Sequence, residues 1–225
     1  MQGQHFPKQD LQFEEGGPRV IASSDLILFA SSSSTGTTIT VPTGIADGDL
    51  AVLVDRGYLI TGTAAAVTPS GYTSRANVAA TDGNQRVVVT TKILTTADDS
   101  ATVTGMSSDD TRKILLVFRL VGGITTITAS AVTSTYAGSA DPAAASASYT
   151  GLSNSSITLG ILAAGFTFTI STPSFSPTET GYEVRGNNLR AYYLLTYTGD
   201  PGSVSVDQGN SGFRNQNILL NFEVS

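Results

Sequence analysis

The segment Thr38–Asp55, TITVPTGIADGDLAVLVD, decides how this chain folds. Ile39–Val41 reads as a short strand that meets a turn at Pro42. Proline sets φ near about −65°, and Gly44 and Gly48 admit the positive φ that tight turns need. Asp47 and Asp49 flank the second glycine, and turn formation explains them better than ion binding does. Leu50–Val54 is then apolar at every position, the pattern of a strand buried on both faces. Strand, turn and doubly buried strand together predict the spine of a β-sandwich.

The rest of the chain repeats this vocabulary. Ser and Thr make up about a quarter of the 225 residues, with 23 glycines. Val, Ile, Tyr, Phe and Thr, which favour strands, fill the apolar runs. Charged residues are only 13% of the chain, and lysine occurs just at Lys8, Lys92 and Lys113. Such a charge-poor, Thr-rich, Gly-punctuated surface is the habit of adhesins and virus-particle proteins. The formal charge of −6 and the absence of any basic run argue against a nucleic-acid partner. With no cysteine, disulfides and thiolate metal sites are excluded. The N-terminus MQGQHFPKQD lacks a signal-peptide pattern, and no apolar run approaches the ~20 residues of a membrane-spanning helix. These features predict a soluble protein with no membrane partner, not exported by the usual route.

Three zones are predicted. Residues 1–20 form an extended polar arm ending at Gly16-Gly17-Pro18, with Phe6, Leu11 and Phe13 as spaced apolar anchors, laid either on a partner or on the arm's own domain. Residues 21–123 form a first β unit, and 124–225 a connection followed by a second, similar unit. In the first, strands are predicted at Asp25–Ala30, Ile39–Val41, Leu50–Val54, Tyr72–Val78, Gln85–Leu94, Ala101–Met106 and Ile114–Val121, with Ser31–Ser34 a flexible run. The second half answers in the same order at an offset of roughly 105 residues, too long for a solenoid repeat. Ser148–Thr150 and Ile157–Ala163 match the opening hairpin, and Gly181-Tyr182 matches Gly71-Tyr72. LRAYYLLTYT (189–198) matches QRVVVTTKIL (85–94), and ILLNFEV (218–224) matches ILLVFRL (114–120). The expectation is an all-β, internally duplicated antiparallel sandwich, jelly-roll or immunoglobulin-like. Arg119 and Glu223 fall at matching positions, so a pseudo-twofold packing would allow them to pair, against the alternative that both face solvent.

Chemistry is sparse. His5 is the only histidine and lies in the arm, which excludes a Ser-His-Asp triad or histidine metal site in the body. Candidate carboxylate pairs for glycoside hydrolysis are Asp98-Asp99, Asp109-Asp110, and Glu179 with Glu183. The aspartates sit in predicted loops, where turn capping accounts for them. Asp47, Asp49 and Asp82, or Asp98, Asp99 and Asp200, would be the oxygen ligands of a calcium site, but no DxDxDG pattern is present. Tyr192, Tyr193 and Tyr197, with Tyr72, Tyr136, Tyr149 and Tyr182, offer either a sugar platform or core filling, and the lack of Trp favours the core. No catalytic residue, cofactor or metal ligand is assigned.

The run ITVPTGIADGDLAVLVD, the step Pro69-Ser70-Gly71-Tyr72, the strand QRVVVTTKIL and the closing ILLVFRLVGG resemble a group of tailed-phage virion proteins. The resemblance covers about residues 35–123 and, more weakly, the second copy; Tyr72 stands where an aromatic, often Trp, is usual. It implies a non-enzymatic β-sandwich on the outside of a virion, as a head decoration (cement) protein or a tail or head fibre. Partners would be the major capsid protein or tail proteins, in a homo-oligomer with a trimer favoured. The alternative is a fibre or adhesin module that binds host-surface glycan through loops such as Gly57–Pro69.

Overall fold

The computed structural model describes residues 25–65, 67–80, 83–107, 111–137, 146–152, 157–164, 170, 174–176, 179–185, 188–195, 202–207 and 215–225. The arm, with Phe6, Leu11 and Phe13, lies outside them. The described chain is nearly all-β. In the first half run β1 (Leu26–Ser34), β2 (Ile39–Thr40), β3 (Leu50–Tyr58), β4 (Thr73–Ala79), β5 (Gln85–Ile93), β6 (Thr102–Val103) and β7 (Arg112–Leu120). In the second run β8 (Ile127–Ala137), β9 (Ser146–Leu152), β10 (Ile157–Ala163), β11 (Ser174–Ser176), β12 (Gly181–Arg185), β13 (Leu189–Leu195), β14 (Gly202–Asp207) and β15 (Asn215–Val224). One 3₁₀ turn, Thr96–Asp98, follows β5.

The two halves share one winding, apart from an additional strand, β11, in the second. The first builds a five-stranded antiparallel sheet β1-β7-β3-β5-β4 and a small sheet β2-β6. The second builds β12-β13-β10-β15-β8 and a small sheet β11-β14-β9. Read from the first strand of each half, both large sheets have the same order. Pairing is nested: first strand with last, second with second-last, third with the next one in. A long hairpin rolled up in this way is jelly-roll winding, which separates it from the immunoglobulin alternative.

Register confirms the duplication at residue level. Leu50 on β3 stands opposite Phe118, and Ile157 on β10 opposite Phe222. The pairing of β5 and β13 shifts the sequence match by two, so that Val87 rather than Gln85 corresponds to Leu189. An even shift leaves every side chain on its own face.

The two large sheets pack face to face over one apolar core. Leu50, Val52, Val54, Leu116 and Phe118 from the first meet Leu159, Ile161, Tyr193, Leu220 and Phe222 from the second. The Phe118 and Tyr193 rings cross edge to face at 5.7 Å. β1 lies against β12, and β8 against β4, a swapped pair of contacts that defines a pseudo-twofold axis. Each small sheet covers the outer face of its own large sheet. Ile39, Val41, Val103 and Met106 pack there on Leu53, Leu115 and Val117, and Phe175 packs with Tyr192 and Leu194 on the other side. The described strands thus form four β layers enclosing three apolar seams.

Several expected boundaries move. β1 runs on through Ser31–Ser34, whose backbones pair with Leu116–Lys113, because an edge strand needs no apolar side chains to keep its ladder. β3 extends past Val54 to Tyr58, burying Asp55 and Arg56. Ile127–Ala137, within the expected connection, forms an eleven-residue edge strand, β8, the counterpart of β1. Ala101–Met106 shrinks to the two residues of β6.

Candidate functional site

The loop end of the first unit is built by the opening segment itself. Gly44 and Gly48 have φ of +85° and +88°. At Gly48 a Cβ would stand 2.7 Å from the Gly123 Cα, so the two turns touch through glycine. Ile124 N–H donates to the Gly48 carbonyl at 2.8 Å, and the Gly48 N–H to that of Leu94 at 3.0 Å. The acids brace this turn to its neighbour: Thr96 N–H donates to Asp47 at 2.7 Å, and Ile45 N–H to Asp99 at 3.1 Å.

Arg119, on β7, locks the same turn from below. Its Nε and Nη2 grip the two oxygens of the buried Asp49 at 2.7 and 2.6 Å, and Nη2 also donates to the Gly44 carbonyl at 2.8 Å. The guanidinium lies 3.6 Å from the centre of the Phe29 ring. The bond to Asp49 raises the Arg119 pKa further against its partial burial. The pairing with Glu223 that the repeat allowed therefore does not form, and Arg119 is engaged rather than facing solvent. Arg119 belongs to its own unit, and Glu223 is exposed. The pseudo-axis runs through the inner faces, whereas both residues point outward.

Beside this brace opens a cleft of about 380 Å³ lined by Asp25, Ile27, Asp47, Asp49, Arg119 and Leu120–Gly123. Ile27 is 45% and Val121 57% exposed, giving its rim an apolar character. The described chain begins at Asp25, on the wall of this cleft.

Of the other singled-out acids, Asp98 has structural partners, four aspartates fall outside the description, and two glutamates stand half-buried. Asp98 accepts from Lys92 and from the Thr95 N–H. Burial opposes its charge, yet these bonds outweigh it and hold its carboxyl below the usual range. Tyr72 is pushed up to about 12 by burial, with Asp98 nearby adding to the effect. Asp82, Asp109, Asp110 and Asp200 lie outside the described residues, as do His5 and Tyr197. Glu179 and Glu183 are half-buried at β12. Among the described residues no three acidic or histidine side chains converge on a metal-sized site.

The tyrosines divide. Tyr193 enters the central core and Tyr192 the outer seam, where it stacks on Phe175 at 5.8 Å. Tyr182 is 53% exposed and leans on Tyr192 at 5.4 Å. In the loop from Gly57, Ile60 is 71% exposed. The side chains of Tyr136 and Tyr149 are outside the description.

Two buried polar groups have no counterpart in the sequence-based expectations. Arg56, fully buried at the end of β3, donates to the Ala164 carbonyl at 2.7 Å across the central seam. Gln85 reaches the Ala163 carbonyl at 3.4 Å, and Gln216 reaches back to that of Val78 at 3.1 Å. Asp55 and Lys113 form an ion pair, 3.1 Å apart, under the loop of Ser107. The signal was the Asp55-Arg56 pair directly after LAVLV, which looks like the end of a strand and is its continuation.

No family model, curated protein or solved structure matches this chain.

Proposed function

We propose that this chain is a non-enzymatic structural protein of a tailed-phage particle, a capsid decoration (cement) protein held by its N-terminal arm. The observation that supports it best is the exposed apolar rim of the cleft, Ile27 and Val121, a surface that a protein partner would cover. The loop acids agree with this reading. Asp47, Asp49, Asp98 and Asp99 all bind backbone N–H groups or cations of the fold itself. On this reading the protein sits on the virion against the major capsid protein, as a homo-oligomer with a trimer favoured by a symmetry axis of the lattice.

Deleting residues 1–19 and measuring co-sedimentation with empty heads tests it. Binding should fall at least tenfold, and undiminished binding would reject the arm as anchor. A second reading, a fibre or adhesin module for host glycan, is favoured by exposed Tyr182 and Ile60. Binding to a glycan array that Tyr182→Ala abolishes would select it instead.

A further inference from the structure

We propose that Lys113 and Asp55 condense with each other, giving an intramolecular isopeptide cross-link between β7 and β3. The two residues stand directly opposite in the β3–β7 ladder. Their side chains are 0% and 4% exposed, with Nζ 3.1 Å from Oδ1. Leu53, Leu115 and Met106 belong to the same dry outer seam. The loop of Ser107 holds both reactants: its N–H donates to Asp55 Oδ2 at 3.0 Å, and its carbonyl accepts from Lys113 Nζ at 3.2 Å.

The duplication supplies a second observation. At the equivalent positions of the other unit, Leu162 stands opposite Asn217, and both are buried. The architecture is therefore complete without an ion pair at this place, and a buried pair is a poor stabiliser compared with apolar residues of similar size.

The chemistry balances within the pair. In a site this buried the proton passes from the ammonium to the carboxylate, leaving a free amine and a neutral acid. Burial lowers the Lys113 pKa against the pull of Asp55, which is the same direction. The Nζ lone pair attacks Cγ, and charge develops on Oδ2, where the Ser107 N–H is already placed to receive it. Oδ1 departs as water, carrying its own proton and one from Nζ, and Oδ2 closes to the amide carbonyl. No co-reactant is needed, and fixed proximity replaces the entropy that such a condensation loses in solution. Lys92–Asp98 is the internal control: the same residue types, but 28% and 17% exposed and so open to water.

The intact mass of the purified full-length chain, measured denatured, decides the matter. It should lie one water below the sequence mass. Trypsin should release residues 20–56 joined to 113–119, because an acylated Lys113 resists cleavage. Lys113→Arg should restore the full mass. A wild-type chain at full sequence mass overturns the proposal, as does a loss of water that persists in Lys113→Arg or maps elsewhere.

Discussion

Arg119 is engaged by a carboxylate, a carbonyl and a ring at once. Bidentate geometry and a buried partner place it well above an exposed ion pair. A double-mutant cycle of Asp49→Ala with Arg119→Ala should show a coupling of about 1–3 kcal/mol in urea denaturation. Arg119→Glu should gain nothing from Glu223→Arg, and rescue there would contradict the described geometry. At Gly48, an alanine meets both a positive φ and the Gly123 backbone. Gly48→Ala should therefore cost about 2 kcal/mol or more, read from the same titration. Asp98 carries a pH dependence. Its folded pKa is depressed, so its contribution is full above the ordinary carboxylate value of about 3.9 and is lost as pH falls through the folded value. Asp98→Asn should lie below wild type in stability at neutral pH, and the two should converge as pH falls below that range.

At the scale of elements, β3 is the strand that joins two of the three seams. One face enters the central seam through Leu50, Val52 and Val54, and the other enters the outer seam through Ala51 and Leu53. Continuous apolar sequence was enough to predict this, since only a strand covered on both sides tolerates it. Its last four residues were not legible, because a charged pair after an apolar run looks the same at a strand end and at a buried interior. What distinguishes them is the partner: the Ala164 carbonyl for Arg56 and Lys113 for Asp55, both remote in sequence. Arg56→Ala should destabilise by about 3 kcal/mol or more, since it opens a cavity and strands a buried carbonyl. Thermal or urea unfolding of the variant measures it.

For the molecule as a whole, the central seam couples the two halves. Each large sheet covers the inner face of the other, so neither half can lose its partner without exposing Leu, Val and Phe side chains. Unfolding should follow one cooperative transition, and two separated calorimetric transitions would contradict a shared core. Phe118→Ala, which also removes the edge-to-face contact with Tyr193, should cost about 3–5 kcal/mol and lower the stability of both halves together. Fluorescence reports from probes placed in β3 and β10 would follow the same curve.

By itself the sequence determined the all-β class, the duplication, the doubly buried strands and the turn chemistry. These follow from local periodicity and from residues whose backbone freedom or restriction is intrinsic. It also recorded, without explaining, that the second copy lacks the turn acid. Residue 156 is a serine where Asp49 stands in the first copy, and Glu223 replaces Arg119, so acid and base disappeared together. Tertiary structure alone decided that the large sheets face one another, that Arg119 serves its own turn, and that Asp55 meets Lys113 in a dry seam. These outcomes depend on which faces bury each other across some hundred residues of chain, and no local pattern encodes that choice.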